Sequence, residues 1–121
     1  MKIKRINQIE GVKFTGGVSY RALLEKDNMG FSLMKTVIPK GGPHHWHYVN
    51  HLEACYCIKG RGEITDLATG IKHLITPDVV YVLDNHDDHT FEALEDTVLI
   101  SIFNPPLKGN EKHNKDGHYG I

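Results

Sequence analysis

The sequence predicts an all-β protein that folds as one domain. Short runs rich in β-branched and aromatic residues recur along the chain, and clusters of Gly, Pro, Asn and Asp separate them. Runs of this length and spacing are typical of a β-barrel or a β-sandwich. The chain has 121 residues, which is enough to bury a core but too few for two domains.

The strand candidates follow one another in a regular order. They are the segments RALLEK, GFSLMKTVI, LEACYCI, GEITDL, IKHLI, VVYVL, TFEAL and TVLISIF. Turn-forming pairs such as Gly16-Gly17 and Thr69-Gly70 lie beside them. Residues 8–11 or 20–26 could instead form a short helical turn. The tail after Pro106 has no hydrophobic periodicity, so we expect it either to be disordered or to fold over the rest as a lid.

Composition and charge argue against several function classes. The formal net charge is −1, and without a basic face we expect no nucleic-acid partner. No apolar stretch reaches the roughly 18 residues of a membrane span, and the start MKIKRINQIEG lacks the apolar core of a signal peptide. We therefore expect a cytoplasmic protein. Cys55 and Cys57 lie too close in sequence for an unstrained disulfide, so we expect reduced, buried thiols.

The segment 42–60, GPHHWHYVNHLEACYCIKG, places histidines and an acidic residue ahead of a strand candidate. His45 and His47 lie two residues apart, and Glu53 follows after five more. This order resembles the first motif of cupins, with a gap before the glutamate that is one residue longer. A second cupin motif, a Pro-x-Gly turn followed by histidines, is matched in part by residues 76–89, where Val79 stands at the glycine position.

These residue types suit a metal site. Imidazole and carboxylate ligands together bind iron, manganese, nickel or zinc, and three protein ligands leave positions open for a substrate. If the segment is an unbroken strand, alternation puts four side chains on one face: His45, His47, His51 and Glu53. A glutamate facing a barrel interior needs a cation or hydrogen bonds. Tyr81 and His89 flank the turn sequence DNHDD, and a hairpin there would bring them together.

Longer segments resemble one enzyme family closely. NHLEACYCIKGRGEI, VYVLDNHDDHTF and FNPPLKGNEKHNKDGHY, together with IEG and RALLEKDNMGFSLMKT, are similar to ectoine synthases, a family of cupin-type enzymes. The resemblance covers essentially the whole chain. It implies that residues 1–121 form a single cupin-type β-barrel domain, also called a double-stranded β-helix or jelly roll. The C-terminal segment of this domain would form a lid. The resemblance also implies an iron-dependent hydro-lyase that converts N-γ-acetyl-L-2,4-diaminobutyrate to the compatible solute ectoine by intramolecular condensation.

The same resemblance implies roles for individual residues. The metal would be Fe2+, with Zn2+, Mn2+ or Ni2+ as alternatives, and its ligands would be Glu53, Tyr81 and His89. His45 and His47 are candidates for additional ligands. The implied substrate contacts are Arg21, Thr36, Tyr48, Ser101 and Phe103. The implied catalytic residues are Tyr48, Glu111 and His113. We also expect a homodimer, because pairing through edge strands hides unpaired backbone groups.

Three positions depart from the family pattern. Gly17 and His47 each stand where the family has a tryptophan, and Ser101 stands where it has a cysteine. The chain could therefore be a divergent ectoine synthase or a relative that acts on another small amino-acid-like metabolite. His47 restores the His-x-His of other cupins and favours a metal-dependent oxygenase as an alternative. A cupin that only binds such a metabolite is the non-enzymatic alternative.

Overall fold

The computed structural model describes residues 1–113 and 117–118, and strands dominate it. In chain order the strands are β1 (Val12–Phe14), β2 (Gly17–Leu23), β3 (Ser32–Ile38), β4 (Gly41–Trp46), β5 (Leu52–Lys59), β6 (Gly62–Asp66), β7 (Lys72–Ile75), β8 (Val80–Leu83), β9 (His89–Ala93) and β10 (Thr97–Asn104). Two single-turn 3-10 helices lie at Ile6–Gln8 and Glu25–Asp27. Among the described residues, no helix is long and apolar enough to cross a bilayer.

The strands form two facing antiparallel sheets. One has six strands in the order β1-β2-β3-β10-β5-β8, and the other has four in the order β4-β9-β6-β7. The chain changes sheet repeatedly, between β3 and β4, β4 and β5, β5 and β6, β7 and β8, β8 and β9, and β9 and β10. A sandwich wound in this way is a jelly-roll arrangement, which confirms the predicted all-β class.

The core lies between the sheets and is mixed in character. Alternate residues of β3 are buried and half-buried along its whole length, as expected when one face of a strand packs inward. Apolar side chains fill most of the space, and the largest fully buried ones include Phe91, Phe103 and Met34. Several polar and charged side chains face the same interior and are at most 7% exposed: Ser19, Arg21, Thr36, Glu53, His89 and Ser101. Polar groups inside an apolar core mark the candidate site.

Most predicted strands are confirmed, but the expected helical turns are displaced. Within residues 20–26 the chain continues as β2 to Leu23, and a 3-10 turn begins only at Glu25. At the N-terminus the 3-10 turn lies at Ile6–Gln8, ahead of the predicted residues 8–11. Pairing of Arg21 and Leu23 with β3 satisfies backbone groups of this segment, which explains why RALLEK starts as a strand.

Two expectations about the site strands were wrong. The strand expected to run unbroken from His45 to Glu53 ends at Trp46, and β5 starts at Leu52. The predicted hairpin between Tyr81 and His89 is absent from the described strand pairs, because β8 pairs with β5 while β9 pairs with β4 and β6. Both errors have one cause: the chain crosses from one sheet to the other at these points.

Candidate active site

Glu53 brings a carboxyl group into the space between the sheets. It lies on β5, where alternate residues are buried, and it is 7% exposed. Burial raises the pKa of the Glu53 carboxyl to about 8, and a hydrogen bond from Cys55 only partly offsets that effect. An ionised carboxylate in this position therefore needs a nearby cation.

His89 approaches from the opposite sheet with a defined tautomer. It is 1% exposed on β9, and its Nδ1 lies 2.8 Å from the backbone oxygen of Asp87. Because a carbonyl oxygen only accepts, Nδ1 carries the proton and Nε2 keeps a lone pair. That Nε2 atom is buried and has no hydrogen-bond partner. Burial also lowers the pKa of His89 and favours the neutral imidazole. Metal-binding histidines have this arrangement.

Tyr81 completes the predicted set from β8. It pairs across the sheet with Cys55, and its ring centroid lies 6.3 Å from that of Phe91 on the facing β9. Burial raises the pKa of Tyr81 well above its ordinary value, and the neighbouring groups of Cys55 and Glu53 add to the shift. Tyr81 and His89 both line a cavity of about 550 Å3 that also reaches Asp66 and Asp87.

The donor set fits a divalent cation. Carboxylate, imidazole and phenol groups are all ligands that iron and zinc accept. The described residues contain no group of three His, Cys, Asp or Glu side chains placed to hold a metal ion. Of the three predicted ligands, only Glu53 and His89 belong to these four residue types. The third predicted ligand is the tyrosine Tyr81. A cation would satisfy the unpartnered His89 nitrogen and compensate the buried Glu53 carboxylate.

A hydrogen-bonded row of small polar side chains runs across the six-stranded sheet toward Glu53. The Thr36 and Ser101 hydroxyl oxygens lie 2.8 Å apart, and the Cys55 sulfur lies 3.4 Å from the Ser101 oxygen. Phe103 pairs with Glu53 across β10 and β5. The structure therefore brings the predicted substrate contacts on β3 and β10 beside the strand that carries Glu53.

Tyr48 links this interior to the tail. Its hydroxyl oxygen lies 2.7 Å from Nε2 of His113. Its ring centroid lies 5.1 Å from Phe103 and 6.1 Å from His89. Burial lowers the pKa of His113 to about 3, and repulsion from the positive charge of Arg21 adds to the shift. His113 is therefore a neutral imidazole near pH 7, able to accept a hydrogen bond from the Tyr48 hydroxyl.

Arg21 holds the tail through its guanidinium group. Nη1 donates to the Gly109 oxygen at 3.0 Å, and Nη2 donates to the Glu111 oxygen at 2.8 Å. Nε donates to the Ser19 hydroxyl at 3.1 Å. The guanidinium fork expected to bind a substrate carboxylate thus also organises residues 109–111.

Glu111 fixes the turn that Arg21 grips. Its carboxylate accepts the backbone N–H groups of Lys108 at 2.6 Å and Gly109 at 2.8 Å, and it lies 3.5 Å from Nη1 of Arg21. Burial alone would raise the pKa of Glu111, but these N–H groups outweigh it and the pKa is lowered. Farther along, the Gly117 oxygen accepts the His47 N–H at 2.8 Å. The described part of the tail is therefore a lid, and residues 114–116 and 119–121 lie outside the described chain.

His45 and His47 do not reach the cavity beside Tyr81 in the described structure. His45 is exposed, and its Nε2 atom pairs with the carboxylate of Asp88. His47 has Nε2 at 2.8 Å from the His86 oxygen and Nδ1 at 3.7 Å from Asp88. The break between β4 and β5 explains this placement. The expected role of both as additional metal ligands is therefore not supported.

Sequence reasoning missed the role of Trp46, the only tryptophan of the chain. Its ring is stacked on His113 at 5.7 Å and on His44 at 5.9 Å. Its Nε1 donates to the Thr15 oxygen at 2.8 Å. A buried aromatic flanked by histidines in sequence was the available signal, but the contact with the tail is long-range.

Comparisons with known proteins identify the family of this chain. The family model described as "Ectoine synthase" matches residues 1–121. The chain belongs to the ectoine synthase family. An L-ectoine synthase of Marinomonas sp. (strain MWYL1) is 52% identical over 103 residues, which cover 85% of this chain and 80% of that relative.

Solved structures extend the agreement to the fold. The crystal structure of ectoine synthase from P. lautus superposes with a TM-score of 0.85 at 41% identity, covering 90% of this chain and 81% of that one. An RmlC-like cupin from Shewanella frigidimarina NCIMB 400 superposes with a TM-score of 0.71 at 18% identity, covering 87% and 91%. The second likeness concerns the fold alone, and it confirms the predicted cupin architecture of this ectoine synthase family member.

The first prediction concerns the Glu53 carboxylate. Glu53→Ala should lower the affinity for Fe2+ by about 100-fold or more, because it removes the anionic ligand from a buried site. Anaerobic titration followed by metal analysis measures this. Glu63→Ala is the matched control, since the Glu63 carboxylate is half-buried and already lies 3.6 Å from the amino group of Lys72. Full iron occupancy in Glu53→Ala would refute the ligand assignment.

The second prediction concerns the pH dependence of stability. The His113 pKa is about 3 in the folded chain against an ordinary value of 6.5, so between these values the unfolded chain binds the extra proton. Its contribution to stability is complete above about pH 6.5 and is lost as the pH falls toward 3, by at most about 1.4 kcal/mol per pH unit.

Urea unfolding followed by circular dichroism at several pH values tests this contribution. His113→Gln should flatten the pH dependence, whereas His73→Gln, at an exposed position, should leave it unchanged. Equal slopes for the wild type and His113→Gln would contradict the prediction.

Proposed function

We infer that this chain is an L-ectoine synthase-like hydro-lyase that closes a ring by loss of water. The family match over residues 1–121 carries this inference. In the proposed reaction the 2-amino nitrogen of N-γ-acetyl-L-2,4-diaminobutyrate bonds to the acetamide carbonyl carbon. The C–O bond then breaks, and the oxygen leaves as water with two protons that come from the substrate nitrogens. The product is the cyclic amidine ectoine.

We propose that Glu53, Tyr81 and His89 hold Fe2+ in this reaction, with Zn2+, Mn2+ and Ni2+ as chemically acceptable alternatives. Support comes from the buried Glu53 carboxyl and the unpartnered Nε2 of His89. When bound, the cation would polarise the acetamide carbonyl oxygen as a Lewis acid. The apolar walls formed by side chains such as Phe91 and Phe103 exclude water around the reacting groups.

We propose that the Tyr48–His113 pair moves the protons. A neutral His113 can accept a hydrogen bond from the Tyr48 hydroxyl at 2.7 Å and so orient the phenol. Tyr48 can then donate its hydroxyl proton to the departing oxygen and take one from the attacking amine in its place. The Thr36–Ser101–Cys55 row would donate hydrogen bonds to the bound amide, a polar group that would otherwise be buried without partners.

We propose that Arg21 and Glu111 match the two charged ends of the substrate. Arg21 supplies a buried positive charge for the substrate carboxylate, and Glu111 supplies a negative charge for an ammonium group. Both also hold the lid, since Arg21 donates to the main-chain oxygens of Gly109 and Glu111. Substrate binding and lid closure would therefore share one guanidinium group.

The oxygenase alternative rested on His47. Its Nε2 hydrogen-bonds the His86 oxygen and its Nδ1 faces Asp88, so no observation favours that alternative. At the other departures, the Phe14 ring packs over Gly17 and Ser101 keeps a hydroxyl group beside Thr36, which supports retention of the family reaction. Ectoine production would serve osmotic protection in the cytoplasm, where the free thiols of Cys55 and Cys57 persist.

The third prediction is iron-dependent turnover. The protein reconstituted anaerobically with Fe2+ should convert N-γ-acetyl-L-2,4-diaminobutyrate to ectoine, followed by proton NMR. Glu53→Ala should abolish the product, and the matched control Glu63→Ala should not. Absence of ectoine from wild-type protein that carries one iron per chain would sink the assignment and redirect the search to other short acylated amino acids.

We also propose a homodimer that forms through the outer face of the six-stranded sheet. Val80 and Val82 on the edge strand β8 are 57% and 56% exposed. Further exposed apolar side chains continue the patch across β5 and β10: Leu52, Tyr56, Ile58 and Ile102. An apolar face that ends in an unpaired edge is a site for a second copy of the chain.

The fourth prediction tests this interface. Light scattering coupled to gel filtration should give twice the chain mass for the wild type. Val82→Glu should give the monomer mass, because it buries a charge in the proposed interface. Leu67→Glu, at a residue that is 46% exposed in the β6–β7 connection, is the control and should remain dimeric. A monomeric wild type, or a dimeric Val82→Glu, would rule out this face.

A further inference from the structure

Phe14 occupies the space over Gly17 at the edge of the six-stranded sheet. The two residues pair across the β1–β2 hairpin. A Cβ atom added to Gly17 would lie 2.3 Å from the Val37 oxygen and 3.1 Å from the Phe14 ring. Position 17 therefore has room only for glycine, because the Val37 main chain blocks a Cβ atom there. The aromatic wall at this point is supplied by Phe14 from β1.

The Phe14 ring reaches from this hairpin into the contact between lid and sandwich. Its centroid lies 5.4 Å from that of His113 and 5.7 Å from that of Trp46. The interplanar angles of these two ring pairs are 55° and 56°. Trp46 is stacked against His113, nearly parallel at 7°. The imidazole of His113 thus packs against two aromatic rings that come from different sheets and that also contact each other.

The hairpin that carries Phe14 is itself fixed to Trp46. Trp46 Nε1 donates to the oxygen of Thr15, the residue after Phe14, at 2.8 Å. Aromatic contacts of this kind add directional preference to apolar packing. With the ring plane of His113 set in this way, its Nε2 atom points at the Tyr48 hydroxyl at 2.7 Å.

We propose that Phe14 is a positioning residue: together with Trp46 it clamps the His113 imidazole and so sets the direction of the Tyr48–His113 hydrogen bond. This inference rests on the proposed function, in which that pair moves the protons of the cyclisation. Phe14 touches no reacting atom. It acts through His113, and loss of its ring leaves the imidazole free to rotate while the other site groups stay in place.

Steady-state kinetics of the iron-loaded enzyme give the first readout. Phe14→Ala should lower kcat by about 10-fold to 100-fold with a smaller change in KM, because misdirected proton transfer slows chemistry more than binding. Phe14→Tyr keeps a flat ring and should stay within about threefold of the wild type. Tyr20→Ala is the matched control, since Tyr20 lies on β2 with the opposite strand parity to the buried Ser19 and Arg21.

Proton NMR of the full chain loaded with diamagnetic Zn2+ gives a readout independent of turnover. The Tyr48–His113 hydrogen bond should give a downfield proton resonance that is absent in His113→Gln. That resonance should vanish in Phe14→Ala and persist in Phe14→Tyr and Tyr20→Ala. If Phe14→Ala does not fold, Phe14→Leu, which keeps apolar bulk without a flat ring, takes its place and should behave in the same way.

The outcomes separate the two ideas. Loss of both kcat and the resonance in Phe14→Ala, with rescue by Phe14→Tyr, supports the clamp. An unchanged resonance overturns it, whatever happens to kcat, and so does an unchanged kcat when the resonance is lost. If the wild type forms no ectoine but its resonance depends on Phe14, the proposed reaction fails and the clamp on His113 stands.

Discussion

Burial of the Glu53 carboxyl group between the two sheets is the constraint on which the rest of the site depends. An ion removed from water costs several kcal/mol unless a counter-charge compensates, and burial raises the pKa of this carboxyl to about 8. On the opposite sheet, the buried Nε2 atom of His89 likewise lacks a partner for its lone pair. A cation between them would satisfy both, so the same burial that weakens the metal-free fold would strengthen metal binding.

The lid shows how a small sandwich can close its open side without a large extra domain. Arg21 projects from β2 and donates hydrogen bonds to Ser19 and to main-chain oxygens of the tail. Glu111 folds back onto the same turn. Charge that lies inside the protein is thereby neutralised by the tail, and a substrate carboxylate would enter a network that already contains its partner.

Local patterns could predict the strands, the fold class and the inward direction of Glu53, since alternation and turn residues act over a few positions. Which sheet each strand joins could not be predicted in the same way. The period of two is identical in both sheets, so nothing local indicates that the chain changes sheet between Trp46 and Leu52 or between Leu83 and His89. The wrong expectations of an unbroken strand from His45 to Glu53 and of a Tyr81–His89 hairpin follow from that.

The placement of Phe14 depends on still more distant relations. It requires the register of a three-residue edge strand, the close approach of the Val37 backbone to Gly17, and a tail that returns about a hundred residues later to bring His113 beside it. By contrast, the proposed ligand set follows from family resemblance, because Glu53, Tyr81 and His89 lie within recognisable segments.

The stacking of Trp46 gives the molecule an intrinsic optical reporter. The chain has one tryptophan, and its indole is stacked on His44 and Phe91 of the sandwich and on His113 of the lid. Opening of the lid would remove the His113 ring from the indole and change its emission without a label or a substitution. The natural tryptophan fluorescence of the protein would therefore report the timing of lid motion during a catalytic cycle.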